Sequence, residues 1–298
     1  MRSLALIIRP YAELCKIRIS FFAALSSSAC FVLASSGLTM ALTMECIMIS
    51  AGVFLLASGS GALNQYQEMD TDGLMPRTAG RPIPSGRIRP QQAKAFSFLV
   101  MGFGSAVLLA FGGISAVLLG LFAALWYNGV YVYLKKKSVF SVIPGALTGT
   151  IPPAIGWISG GGMPFSPVFY SLCLCFFIWQ IPHSWLLFLE YGHEYQKAGL
   201  PSLTHVWNRR QIIRNTFIWT LCTAIICLTV SLHLTSIVPV IRVALVAAAL
   251  WLAGSSALLF YHGKHGHAHS FLFGKLNAYM FVVMALLVCG RLIQRNIL

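Results

Sequence analysis

The 298-residue chain is 57% hydrophobic and only 9% charged, far from the roughly 25% charged residues of a soluble domain, which excludes an ordinary water-soluble globule. Its formal net charge of +14 would suit a nucleic-acid binder, but the basic residues are dealt out between long apolar runs, and that placement excludes the class.

In chain order, "MRSLALIIRPYAELCKIRIS" comes first. Its apolar run is too short for a signal-peptide core and no small-residue cleavage site follows, so it reads as a basic amphipathic lead-in at a membrane surface. A spanning helix needs about 20 mainly apolar residues. Nine stretches qualify, near 17–38, 43–66, 96–113, 114–134, 139–159, 166–190, 212–233, 237–260 and 272–293. Only "GGIS" divides the third from the fourth, which predicts a tight helical hairpin. The expected fold is all-α, a polytopic membrane helical bundle of about nine transmembrane helices in a single domain, 1–298.

With the N-terminus cytoplasmic, all of the 21 Lys and Arg except Arg242, Arg291 and Arg295 fall in inner segments. That asymmetry follows the positive-inside rule and sets the expected orientation. The eight cysteines lie in or beside the apolar runs. Cys173 and Cys175 are two apart, on different helix faces, and read as small apolar fillers rather than a metal site. Prolines and glycines in "IPGALTGTIPPAIGW" predict a kinked or tightly packed fifth span, with Gly145 and Gly149 at close-contact spacing. The histidines of "HGKHGHAH" (262–269) read as part of a solvated glycine-rich loop.

Five of the seven acids fall in two places, the inner ends of the second and sixth spans. Acids at membrane depth are costly and mark functional sites. Asn64, Glu68 and Asp72 are spaced i, i+4, i+8, one face if the helix continues, with Asp70 about half a turn away. Glu190 and Glu194 repeat the i, i+4 spacing, with His183 on the same stripe. Oxygen-only ligands suit a hard divalent cation such as Mg2+ rather than zinc or copper. Arg77 and Arg81 follow the first patch, and Lys135, Lys136 and Lys137 follow the fourth span; arginine grips phosphate with two parallel hydrogen bonds and lysine as a point charge. The pattern predicts a metal-bridged diphosphate.

"NQYQEMDTDGLMPRTAGRPIPSG" resembles the first signature of the UbiA-type intramembrane prenyltransferases, in the form of the branch that farnesylates protoheme IX. "YVYLKKKSVFSVIPGALTGTIPPAIGW" (131–157) and "WQIPHSWLLFLEYGHEYQKAGLPSL" (179–203) are similar to two further segments of that branch. The resemblance implies a helical bundle around a central cavity open to the cytoplasmic side. It implies Mg2+-dependent transfer of a farnesyl group from farnesyl diphosphate to a vinyl carbon of heme b, followed by water addition to give heme O. By position, Asn64, Glu68, Asp72 and Glu194 match the catalytic motifs, and Glu68, Asp70, Asp72, Glu190 and Glu194 the metal positions. Arg77, Arg81, Lys135 and Lys136 match the diphosphate clamp, and His183 the family histidine taken to meet heme. A bacterial inner (cytoplasmic) membrane, with heme A synthase or terminal oxidase assembly factors as neighbours, comes with the same resemblance.

The sequence departs from the pattern in having Glu at 68 and 194, where the family tends to use Asp, and His193 where a second acid often stands. "THVWNRRQ" is also unusual there. Two rival readings are a family member prenylating a quinone precursor and a cation-coupled transporter. The first has no reason to keep "WQIPHSW". The second predicts inverted repeats, which the sequence does not show. Tyr127, Tyr131, Trp126 and Trp179 are expected either to line an allylic cation or to anchor and pack the bundle.

Overall fold

A computed structural model of the chain describes the backbone of residues 2–37, 39–234, 237–262 and 268–297. The His-rich run at 262–269 has its side chains outside the described residues. Among the described residues every regular element is helical. An amphipathic α1 (Arg2–Leu14) precedes α2 (Ile17–Ala34) and α3 (Met40–Gln67), and two short turns follow, α4 (Met69–Gly73) and α5 (Pro76–Ala79). Next come α6 (Pro90–Leu125), a π-helical turn (Trp126–Tyr131), α7 (Val132–Lys135), α8 (Val142–Ser159) and α9 (Pro167–Lys197). A 3₁₀ turn (Leu203–His205) leads to α10 (Arg209–His233), α11 (Pro239–His262) and α12 (Ala268–Ile297).

Seven helical stretches among the described residues are long and apolar enough to cross a membrane, where the sequence reading expects nine. The difference lies in two places. Pro90–Lys135 counts as one run, although Gly113 leaves helical space at φ 73°. Its second arm folds back, so that Gly120 lies beside Leu108 of the first. Helix α8, with Pro152 and Pro153 inside it, is not among the seven. The expected hairpin is therefore present, and Gly113 makes it because only glycine takes positive φ without strain.

Helices α2, α3, α6 and α8 share one apolar core around Phe31, Ile49, Leu108 and Ile155. Helices α9 to α12 share a second with part of α2, around Cys227, Leu252, Leu276 and Tyr279. With lipid outside, helices gain little by hiding apolar surface, so small residues and shape govern their approach. A Cβ on Gly104 of α6 would sit 2.7 Å from the Leu56 backbone nitrogen of α3. Gly156 of α8 and Gly160, which caps it, press against the Ser27 and Phe31 carbonyls of α2. Gly145 and Gly149 also mark close contacts, but with the Tyr131 ring and the Gln180 amide rather than a neighbouring backbone.

Candidate active site

Helix α3 breaks at Glu68 (φ −107°, ψ 7°), yet the ladder survives the break. Glu68 N donates to Asn64 O at 3.0 Å and Asp72 N to Glu68 O at 2.8 Å. The i, i+4, i+8 face is therefore kept, and Asn64, Glu68 and Asp72 are 2%, 5% and 1% exposed. Asp70 points outward and is exposed, as half a turn of offset requires.

Each buried group has its own cation. Arg81 Nη1 meets Asp72 Oδ2 at 2.5 Å, and Lys135 Nζ meets both oxygens of Glu68 at 3.0 and 3.2 Å. Lys16 Nζ donates to Asn64 Oδ1 at 2.5 Å. A buried charge is tolerated when paired and hydrogen-bonded, and removing one partner leaves the other strongly unfavourable. Burial opposes the charged form of Glu68, but Lys135, Lys16 and Arg81 together outweigh it and hold its pKa below the usual carboxylate value. Burial pulls Lys16 the other way, down to about 7, with Arg81 and Lys135 adding to the fall and Glu68 and Asp72 resisting it.

Neighbouring contacts fix this end of α3. Thr78 Oγ1 donates to the Asp72 carbonyl at 2.8 Å, folding the arginine loop back over the acids. Gln65 Nε2 donates to the Glu13 and Leu14 carbonyls, which holds the turn carrying Lys16. Gln67 Nε2 donates to Asn128 O of the π-turn at 2.9 Å. Such wide turns occur mostly singly and often at functional sites. This one stacks Tyr127 on Tyr131 at 5.6 Å, one turn before Lys135. Trp126 and Trp179 are committed elsewhere, to Pro144 O and Leu276 O.

The second patch divides. Glu194 Oε2 accepts from the Arg77 backbone N–H at 3.3 Å, and the Arg77 guanidinium lies over the Tyr191 ring at 4.9 Å. Lys135 lies 5.6 Å from the Tyr195 ring. These contacts bring the end of α9 against Arg77 and Lys135, the cations beside the first patch. Glu190 is exposed and accepts from Ser270 Oγ of α12 at 3.1 Å. His183, one heptad earlier, also faces α12, between the Trp179 and Phe273 rings at 4.9 and 4.4 Å. The stripe of three thus points two ways, because each heptad of an α-helix drifts by about 20° and the two acids differ by a further turn. Lys136 and Lys137 are exposed, and Lys136 reaches only the Gln67 carbonyl at 3.4 Å.

Among the described residues no group of three or more His, Cys, Asp or Glu side chains is drawn together tightly enough to hold an ion alone. Asn64, Glu68 and Asp72 share one buried face and Glu194 lies across the arginine loop on Arg77 N–H; all four offer oxygen only, which fits Mg2+, an ion that completes its octahedron with water and phosphate oxygens. Lys16, which in the sequence counts only toward topology, and Ser270 and Phe273 of α12 also belong to these contacts. Nothing in their local sequence marks them; they join the site through tertiary contact.

A helical bundle with seven stretches long and apolar enough to cross a membrane among its described residues, and with paired acids and cations at their ends, defines an integral-membrane protein. The chain belongs to the UbiA prenyltransferase family, whose model matches residues 20–290. It is 40% identical over 159 residues to a protoheme IX farnesyltransferase of Nitratidesulfovibrio vulgaris, spanning 53% of this chain and 55% of that protein. The first matches thus cover about half the length of those relatives. A protoheme IX farnesyltransferase of Oleidesulfovibrio alaskensis is 32% identical over 293 residues, 98% of this chain and 99% of that one. Among solved structures, a digeranylgeranylglyceryl phosphate synthase has a TM-score of 0.71 at 19% identity, covering 96% of this chain and 98% of that chain. A UbiA homolog from Archaeoglobus fulgidus bound to GPP and Mg2+ has a TM-score of 0.67 at 15% identity, covering 93% and 99%. At those identities the likeness is one of fold.

Proposed function

We propose that this protein transfers a farnesyl group from farnesyl diphosphate to a vinyl carbon of heme b, giving heme O after water addition. The observation that carries the reaction class is the buried face of Asn64, Glu68 and Asp72, each group held by its own cation. Carboxylates and cations held side by side can accept a divalent metal and a diphosphate together, each partner exchanged for one of the incoming ligands. The heme acceptor rests on the full-length relative and on "WQIPHSW".

Mg2+, when bound by Asn64, Glu68, Asp72 and Glu194, neutralises the diphosphate and makes it a better leaving group. Arg81 and Lys135 turn from the carboxylates, and Lys16 from the Asn64 amide oxygen, to the phosphate oxygens, and Arg77 and Lys136 close from the exposed side. The C1–O bond of the farnesyl chain breaks with its electron pair leaving on the diphosphate. The stacked Tyr127 and Tyr131 rings present π-faces to the allylic cation. The terminal vinyl carbon bonds to C1, water adds at the neighbouring carbon, and one proton is released. His183 meets the heme from α9. Asp70 and Glu190 are both exposed, and Glu190 is turned to Ser270, so neither belongs to the buried donor set.

In this reading the chain works as one domain, 1–298, in a bacterial inner membrane with its N-terminus cytoplasmic. That orientation puts Glu68, Asp72 and Glu194 on the cytoplasmic side, where a soluble diphosphate arrives.

The test is expression in membranes supplied with heme b and farnesyl diphosphate, with and without Mg2+, followed by pigment analysis. Heme O should form only with Mg2+. Absence of heme O, or prenylation of 4-hydroxybenzoate in its place, would overturn the acceptor.

A further inference from the structure

A group of sulfurs lies apart from the acid–cation centre and has no part in that chemistry. Cys175 of α9 and Cys227 of α10 are 2% and 0% exposed, and their Sγ atoms stand 2.7 Å apart. Both are free thiols. Cys227 Sγ also lies 3.9 Å from Met280 Sδ of α12, and Cys30 of α2 is buried in the same core.

Two chemistries gather buried sulfurs, a soft metal ion and a sulfur–sulfur bond. An ion with thiolates at about 2.3 Å in tetrahedral geometry would hold its sulfurs roughly 3.7 Å apart. The 2.7 Å separation leaves no room for that ion between them. A disulfide is about 2.05 Å long, so these two sulfurs need to close by less than about 1 Å.

We propose that Cys175 and Cys227 are a redox pair that closes to a disulfide between α9 and α10, with a membrane-soluble quinone as the two-electron acceptor. The two S–H bonds break and one S–S bond forms. Two electrons and two protons pass to the quinone, which becomes the quinol. Both cysteines lie inside spanning helices, Cys175 eight residues after Pro167 and Cys227 six residues before His233. A charged aqueous oxidant does not enter that depth; a lipid-phase one does, and it meets the two buried thiols when α9 and α10 part transiently. The bond would staple α10 to the helix that carries His183, Glu190 and Glu194.

Protein in lipid vesicles is incubated with a short-chain ubiquinone, denatured, and labelled with a maleimide mass tag. The wild type should fall from its eight free thiols by two, recover them with dithiothreitol, and give a cross-linked Cys175–Cys227 peptide. Cys173→Ser should still lose two, whereas Cys175→Ser and Cys227→Ser should lose none. Eight tags retained by the wild type, or a bond formed through any other cysteine, overturns the proposal.

Discussion

The two acid patches start from the same sequence device, acids four residues apart on one helix, and end in different states. At the end of α3, Glu68 and Asp72 are buried and each is bound to a cation. At the end of α9, Glu190 is exposed and Glu194 half-buried, holding a hydroxyl and a backbone N–H. The first patch is prebuilt and depends on its cations. The second is open and contributes by reaching across. A spacing therefore says which acids share a face, while the packing around that face decides how much each one costs to keep.

Substitutions should separate the patches. The largest effect is expected from Asp72→Asn, which removes the charge that faces Arg81. Heme O formation should fall at least about 100-fold, equivalent to about 2.7 kcal/mol, with the protein still folded by thermal melt. Glu190→Gln should change the rate less than about threefold, and equal losses at the two positions would erase the contrast. Glu194→Ala should fall between them, near 10-fold, because it loses the contact with Arg77 and one oxygen donor.

Stability gives a second contrast. Lys135→Met leaves Glu68 buried without its main partner, a change that costs about 3–5 kcal/mol. Lys136→Met, at an exposed position, should stay within about 0.5 kcal/mol. Detergent-phase melting curves of the two variants would show the difference directly.

The smallest effect belongs to an exposed pair outside both patches. Arg87 meets Glu13 at 2.6 Å and, chiefly through that hydrogen bond, holds the Glu13 carboxyl below its usual pKa. The folded chain then binds fewer protons than the unfolded one as pH drops through the carboxylate range. The stabilisation is present above about pH 4.5 and is lost as pH falls through the folded value. For so exposed a pair it amounts to a few tenths of a kcal/mol. The melting temperatures of wild type and Arg87→Ala should therefore converge at low pH and at high salt.

Much of this was readable from residue order. Asn64, Glu68 and Asp72 share a face because 3.6 residues make a turn, and the ladder through Glu68 keeps that rule despite the break. Arg81 reaches Asp72 from nine residues away, within the span of one loop. The hairpin at Gly113 was visible as "GGIS" between two apolar runs. Other partners were not visible. Lys16 lies 48 residues from Asn64, Lys135 lies 67 from Glu68, and Ser270 lies 80 from Glu190. The family motif marks Lys135 and Lys136 alike for the clamp, and no helical period tells which of them meets Glu68.

The sequence by itself determined that this is a membrane bundle, where its helices run, which face holds the first acids, and which family the motifs resemble. Those properties follow from local quantities, namely apolar length, helical period and loop charge. The tertiary structure decided which cation serves which acid, that Glu190 turns to α12 while Glu194 turns to the arginine loop, and that two distant thiols meet. The reason is that helix crossings are set where backbones touch, as at Gly104 and Gly156. Whether a side chain four turns away from such a crossing meets a partner depends on the angle the crossing imposes.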